Sequence, residues 1–231
     1  MKTQLGLFIE LPFESLKPAL LVSLLSVWVL VGLFFYLNHY TRRRYFTTWT
    51  AAWLFYALWL TLCLRGSGED QPQWLRLLQQ TCVGVAAVFL LWGAAQFLRL
   101  RSSRRQFGWF LLFQFVWSYI GVYHMDDPFW SQSPMFGLIG LASVVTAWTF
   151  YKMRTRRNFI GAGLLCFGFI FWGVFLAMYP LLQTSGLLLS SLFFISAVLQ
   201  LFIAVSMIVL VLEEVRTQRT HAARKLAFKQ N

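Results

Sequence analysis

The sequence predicts an all-α membrane protein, a bundle of seven transmembrane helices with its N-terminus outside and its C-terminus in the cytoplasm. Of its 231 residues, 58% are hydrophobic and 12% are charged, whereas ordinary globular chains carry roughly 25% charged residues. Sixteen of the 20 Lys and Arg residues fall in four clusters, at 42–44, 99–105, 152–157 and 216–229. Because cationic loops stay on the cytoplasmic side of a bilayer, these clusters mark the inner ends of the helices.

The net charge of +12 agrees with this topology. A strongly basic chain can bind nucleic acid, but here the charges flank apolar runs, where they meet the anionic lipids of the inner leaflet. We therefore expect the lipid bilayer as a partner, no nucleic acid, and a multi-pass location in the cell membrane. Seven arginines are expected to act as cytoplasmic anchors: Arg42, Arg43, Arg44, Arg104, Arg105, Arg156 and Arg157.

Residues 1–18 precede the first long apolar run. They include Glu10, Glu14 and Lys17. The run after Pro18 is too long for the hydrophobic region of a signal peptide and lacks a small-residue cleavage site. We expect a short extracellular segment here, with Pro18 opening the first helix.

Seven apolar runs have about the length that a helix needs to cross a bilayer. Three of the connections between them are the basic clusters, and the other three hold acids or turn-forming residues, at 65–72, 125–134 and 183–186. Because all the connections are short, successive helices are expected to pack as antiparallel neighbours. The predicted spans, which together form a transmembrane domain at 19–212, cover residues 19–38, 45–64, 74–98, 107–124, 135–151, 159–182 and 187–212.

Small and polar residues inside the spans predict how the helices pack. The sixth span carries Gly161, Gly163, Gly168 and Gly173, and small residues let helices approach closely. The polar side chains are expected to bond mostly to other helices, contributing roughly 0.5–1 kcal/mol each. They are Thr61, Thr81, Gln96, Gln114, Ser118, Tyr119, Tyr123, Ser143, Thr146, Ser196 and Gln200.

No span holds a charged residue near its middle. Such residues usually mark ion pathways and proton relays, so their absence counts against a pump, a proton-coupled transporter and an ion channel. The three histidines lie at different depths, and the three cysteines have no metal-binding spacing. We expect no metal, no cofactor and no catalytic activity in this chain. A disulfide between Cys63 and Cys82 is one possibility, and cysteines that serve only as packing residues are the other.

Aromatic and polar side chains gather in the outer halves of several spans. An aromatic pocket that opens outward is the default binding site of a helical receptor, and its ligand would be a small or lipid-like molecule. The alternative is that these residues only fill the membrane. The predicted pocket consists of Trp59, Trp117, Ser118, Tyr119, Tyr123, His124 and Trp172.

The segment after the seventh span, residues 213–231, predicts a cytoplasmic helix. Apolar residues recur there with the 3-4 spacing of a coiled coil, and neither Pro nor Gly separates the segment from the seventh span. We expect one continuous helix that forms a homodimer, although a charged tail that only fixes topology would carry similar residues. The positions of this signalling seam are Leu212, Val215, Arg219, Ala222 and Leu226.

Three features carry a resemblance to a known family. They are the run from Tyr40 to Tyr56 (YTRRRYFTTWTAAWLFY), the seven-span topology, and the exit LEEVR at Leu212–Arg216, which ends in ARKLAF at Ala223–Phe228. The chain resembles the seven-helix sensor modules at the N-termini of bacterial histidine kinases and diguanylate cyclases. The resemblance implies a location in the inner membrane and a cytoplasmic output domain of the kinase or cyclase type. Neither a histidine-kinase H-box nor a Gly-Gly-Asp/Glu-Glu-Phe motif occurs in this sequence.

The leading hypothesis is therefore a transmembrane receptor or sensor domain. It would pass an extracellular or intramembrane signal through its seventh helix to an output domain that is absent from this chain. The alternative is a small-solute transporter with seven helices, although the only deep proline is Pro180, whereas transporters built on inverted repeats often have paired broken helices. A third possibility is a membrane enzyme or assembly factor without an obvious site.

Overall fold

The computed structural model describes residues 16–41, 44–66, 71–98, 104–125, 127–182 and 186–230. These residues form helices and no strand, so the all-α prediction is confirmed for the described part of the chain. The helices are α1 (Leu16–Thr41), α2 (Arg44–Arg65), α3 (Gln73–Phe97), α4 (Arg104–Tyr123), α5 (Pro128–Arg157), α6 (Ile160–Ala177), α7 (Tyr179–Leu182) and α8 (Gly186–Gln230).

Six of these helices are long and apolar enough to cross a membrane, namely α1, α2, α3, α5, α6 and α8. They indicate a multi-pass membrane protein. Helix α4, which corresponds to the predicted fourth span, is less apolar because it combines two arginines and two glutamines with Trp and Tyr residues.

The six apolar helices pack into a closed ring. Each contacts the next in the order α1, α2, α3, α5, α6 and α8, and α8 returns to contact α1. Buried side chains from all six helices form one hydrophobic core. Helix α4 lies outside this ring and packs against α3 and α5.

Helix α4 runs alongside its two neighbours from one end of the ring to the other. Near its start, the ring of Phe107 stacks on that of Trp92 in α3, with centroids 5.4 Å apart. Near its end, Trp117 Nε1 donates to the backbone oxygen of Ser131 in α5 at 3.3 Å. Arg44 at the start of α2, Arg157 at the end of α5 and Arg216 of α8 belong with the start of α4 to one end of the bundle, which we call the basic end, whereas Arg65 lies at the opposite end of α2.

Helix α5 begins at Pro128, earlier than the predicted start at residue 135. The side chain of Asp127 accepts a hydrogen bond from the backbone nitrogen of Phe129 at 2.9 Å, and proline suits the first turn because it has no N–H to satisfy. The helix ends at Arg157, and the residue that follows, Asn158, has a left-handed φ of 55°. The sequence prediction was wrong here because it treated this polar first turn as part of the loop.

The sixth predicted span, 159–182, is interrupted. Helix α6 ends at Ala177, Met178 forms a turn, and the short helix α7 follows. Proline lacks an N–H donor, and its ring clashes with the carbonyl four residues earlier, here that of Leu176, so Pro180 accounts for the break. Helix α8, by contrast, continues from the seventh span to Gln230 without interruption, as the sequence predicts.

The glycines of α6 let it approach both of its neighbours, as predicted. A Cβ on Gly161 would lie 2.5 Å from the backbone nitrogen of Leu210 in α8. On the other side, a Cβ on Gly173 would lie 2.6 Å from the Cβ of Ser143 in α5. Ordinary van der Waals contacts there begin near 3.4 Å, so only glycine fits at these two positions without displacing a neighbour.

Candidate functional site

The inner face of α2 presents a column of aromatic rings at the centre of the bundle. Trp49, Trp53, Tyr56 and Trp59 recur at helical spacing and are all buried. Rings from other helices surround the column, so it extends from near the basic end to the opposite end. The contacting rings are Phe34, Phe97, Phe136, Phe150, Phe169, Trp172, Tyr179 and Phe193.

Buried polar groups interrupt this column where α2, α6 and α8 meet. Trp172 of α6 packs against Trp53 and Tyr56, with centroid distances of 4.8 and 5.3 Å. Its Nε1 donates to Ser196 Oγ of α8 at 3.2 Å, and Gln200 Nε2 donates to the same oxygen at 3.0 Å. We call Trp53, Tyr56, Trp172, Ser196 and Gln200 the polar core site.

Three atoms of the polar core site are buried without a hydrogen-bond partner among the described residues: Trp53 Nε1, Tyr56 Oη and Gln200 Oε1. A small cavity of about 10 Å³ lies beside them, lined by Ala52, Trp53, Tyr56, Ala86, Leu90, Ile139 and Trp172. That is about the room that one water molecule needs, whereas ligand pockets enclose roughly 300–1,000 Å³. The polar core site therefore has room for about one water molecule and not for a larger ligand.

A second polar cluster joins α4 to the ring. Gln80 Nε2 of α3 donates to Ser131 Oγ of α5 at 2.9 Å, and Gln114 Nε2 of α4 donates to Met135 Sδ of α5. Gln114 and Ser118 are fully buried, while large apolar residues of α4 point away from the ring. The exposed residues are Trp109, Phe110, Leu112, Phe113, Phe115, Val116, Tyr119, Ile120 and Tyr123.

At the basic end, Glu213 connects α8 to α6. Its two carboxylate oxygens accept hydrogen bonds from the backbone nitrogens of Ile160 and Gly161, each at 3.0 Å. These are among the amides at the start of α6 that have no partner within that helix, and the positive end of a helix dipole favours a carboxylate. Glu213 thus caps the start of α6, and it lies at the point where α8 extends beyond the bundle.

The residues of the predicted pocket fall in two places. Trp59 and Trp172 are buried in the aromatic column, on either side of Tyr56. Tyr119, Tyr123 and His124 form a cluster on the exposed side of α4, with centroids 4.9 and 6.0 Å apart. The other two also lie on α4, where Ser118 is buried and Trp117 is half-buried.

The predicted anchors and seam positions are described only in part. Arg44, Arg105, Arg156 and Arg157 are exposed at helix ends. Arg42 and Arg43 lie outside the described residues, and the side chain of Arg104 is not described. In the tail, Leu212 is exposed and Val215 half-buried. Arg219, Ala222 and Leu226 belong to α8, but their side chains are also not described.

The hydroxyl groups correct one expectation. Thr61, Thr81, Ser143 and Thr146 bond to the carbonyl four residues earlier in their own helices, at 2.7–2.9 Å. Short hydroxyl side chains reach this carbonyl readily. Most of the described side-chain hydrogen bonds between helices are instead donated by amide and indole groups, which reach farther.

The described residues contain no group of three or more His, Cys, Asp or Glu side chains arranged to hold a metal ion. Among the described residues, Cys63, Cys82 and Cys166 form no disulfide.

Comparison of the chain with family models, with curated proteins and with solved structures gives no match.

Sequence reasoning did not single out Trp53, Tyr56 or Glu213. The 4-3-3 spacing of aromatic residues along α2 was a usable signal, because it places all four rings on one helical face. Glu213 carried no such signal, since its partners are backbone amides that lie 52 and 53 residues away in the chain.

Proposed function

We propose that this chain is a seven-span receptor or sensor module of a bacterial inner membrane. It relays a signal through α8 to a cytoplasmic output domain that is absent from this chain. The observation that carries the proposal is α8 itself, which holds 45 residues in one helix. At 1.5 Å per residue it is about 67 Å long, more than twice the roughly 30 Å of a hydrocarbon core.

The polarity of α4 supports counting it as the fourth of seven spans. Its buried face carries Gln114 and Ser118, whereas its exposed face is aromatic and aliphatic. This is the reverse of a helix on a soluble protein, and it suits a helix whose outer face meets lipid. With α4 crossing, the basic loops all lie on one side, which would be the cytoplasm.

Two contacts couple α6 to α8 over the depth of the bundle. One is the hydrogen bond from Trp172 to Ser196 in the core, and the other is the Glu213 cap at the basic end. The polar core site has no room for a small or lipid-like ligand larger than a water molecule unless α2 separates from α6 and α8. Binding there would therefore favour a state with α8 displaced, and the displacement would reach the tail through one uninterrupted helix.

The test measures whether the polar core site influences the tail. In a cysteine-free variant, Val215→Cys reports how readily two tails form a disulfide in native membranes. We expect Trp172→Phe and Ser196→Ala to change the rate of crosslinking. Ser206→Ala is the matched control, because Ser206 is a buried hydroxyl of the same helix that bonds to Phe202 O, at 2.7 Å.

Two results would argue against the proposal. If the two core variants leave crosslinking unchanged, or change it no more than Ser206→Ala does, the core is not coupled to the tail. If purified protein in liposomes moves a solute down its gradient, the transporter hypothesis replaces the sensor hypothesis.

A further inference from the structure

The apolar face of the tail continues a particular face of the membrane part of α8. Counting back from Leu226 in alternating steps of four and three gives Ala222, Arg219, Val215 and Leu212, the predicted seam. The same steps continue into the span through Ile208, Val205, Leu201 and Val198. One strict 3.5-residue repeat thus covers about four heptads of a single unbroken helix.

In the span, this repeat lies on the side of α8 that faces away from the bundle. Val198 is 66% exposed and Val205 is 59% exposed, and Leu201, Ile208 and Leu212 are exposed as well. The opposite side packs against α1 and α6. Its buried residues include Ser196, Gln200, Ile203, Met207 and Leu210.

The two faces of α8 differ once the helix leaves the membrane. The face that packs in the bundle continues into Glu214, Thr217, His221 and Arg224, which are all polar. The lipid-facing side continues into Val215, Ala222 and Leu226, interrupted only by Arg219. By helical register, the apolar positions of the tail therefore continue the exposed face of the span. Within the bilayer, lipid covers that face. In the cytoplasm, exposure of an apolar seam to water is unfavourable.

We propose that a second copy of this chain packs along this whole face, from Val198 in the span to Leu226 in the tail. Copies inserted with the same orientation bring identical faces together about a two-fold axis, as cyclic dimers require. Val198, Val205, Leu212, Arg219 and Leu226 take a positions, and Leu201, Ile208, Val215 and Ala222 take d positions. The proposal rests on the proposed function, and it extends into the membrane the tail dimer that the sequence predicts.

Arg219 favours this longer seam over a dimer of tails alone. A charged residue at a core position lowers the stability of a coiled coil while it fixes the register. The tail by itself has only about two heptads, one of them carrying this charge. The aliphatic positions of the span supply the packing that the tail lacks.

Single cysteines in a cysteine-free variant test the seam in native membranes under mild oxidation. Val198→Cys and Val205→Cys report on the span, and Val215→Cys and Ala222→Cys report on the tail. Leu25→Cys of α1 and Leu141→Cys of α5 are matched controls, because these residues are 69% and 57% exposed on other lipid-facing surfaces. Co-expressed copies with two different tags show whether the product, at twice the chain mass of 26.9 kDa, joins two copies of this chain.

We expect both span positions to crosslink at least about five-fold faster than the two controls, because a packed seam holds the thiols close together. Fast tail crosslinks with span positions no faster than the controls would overturn this inference and leave the tail dimer standing. Slow crosslinks at all four seam positions would overturn both. The inference would also be overturned if the crosslinked product joined one tagged copy of this chain to a different protein.

Discussion

Substitution of Gly161 by alanine is expected to separate α6 from α8. The added Cβ would lie 2.5 Å from the nitrogen and 2.7 Å from the Cα of Leu210. Because both atoms are backbone, no side-chain rotation relieves the contact, and the helices must move apart by about 1 Å to reach ordinary packing distance. Overpacking of this kind costs about 1–3 kcal/mol, and the movement also pulls the start of α6 away from Glu213.

Two other glycines provide a graded comparison. A Cβ on Gly168 would lie 2.9 Å from Ile203 Cγ1, a side-chain atom that can shift, so Gly168→Ala should have a smaller effect. A Cβ on Gly137 in α5 would meet nothing within 4 Å. Gly137→Ala should stabilise the helix by about 0.5–1 kcal/mol, because alanine loses less conformational entropy on folding.

The assay is unfolding in mixed detergent micelles, followed by the fluorescence of the 11 tryptophans. The free energies of unfolding of Gly161→Ala and Gly137→Ala should differ by about 1.5–4 kcal/mol, with opposite signs relative to the wild type. Equal stabilities for these two variants would refute the close contact between the α6 and α8 backbones.

Three further predictions concern the helix cap, the polar core site and the orientation of the chain. Glu213→Ala should lower the free energy of unfolding by about 0.5–2 kcal/mol and speed hydrogen exchange at the Ile160 and Gly161 amides. Glu213→Gln should have an intermediate effect because it keeps one acceptor, and unchanged exchange would contradict the cap. Ser196→Ala should destabilise the protein by about 1–3 kcal/mol, because two buried donors lose their acceptor. Tyr56→Phe should change the free energy of unfolding by less than about 1 kcal/mol, because it removes an unpaired hydroxyl. Unfolding measurements that reverse this order would count against the polar core site as described. In intact cells, a membrane-impermeant maleimide should label Gln73→Cys directly and Thr155→Cys only after permeabilisation, and the reverse pattern would invert the proposed orientation.

The helices were predictable from the sequence where apolar length decides the structure. The third predicted span, 74–98, differs from the observed helix Gln73–Phe97 by one residue at each end. Prediction failed where local backbone chemistry extends or breaks a helix. Asp127 starts α5 within a segment that hydropathy assigns to a loop, and Pro180 interrupts a run that hydropathy treats as continuous.

The candidate site was predictable only in part. Trp59 and Trp172 lie in the aromatic column, but the pattern did not show that α4 would lie outside the ring, where it carries four of the other predicted pocket residues and is followed by His124. Burial depends on which helices become neighbours, and apolar periodicity alone does not reveal this when lipid-facing and core-facing residues are equally hydrophobic. The polar residues Ser196 and Gln200 were noticed in the sequence, but the hydrogen bond from Trp172 Nε1 to Ser196 Oγ depends on the pairing of α6 with α8.

The closure of the ring between α1 and α8 has a consequence for biogenesis. Helix α1 leaves the ribosome before the other helices of the ring, yet one of its two partners in the ring is α8, which leaves after all the others. At roughly 5–20 residues per second, the residues between Thr41 and Gly186 take about 7–30 s to synthesise. During that interval, one side of α1 has only lipid or the insertion machinery to face. Arrival of α8 therefore acts as the final step of assembly, and a chain that stops before Gly186 leaves an open arc of helices.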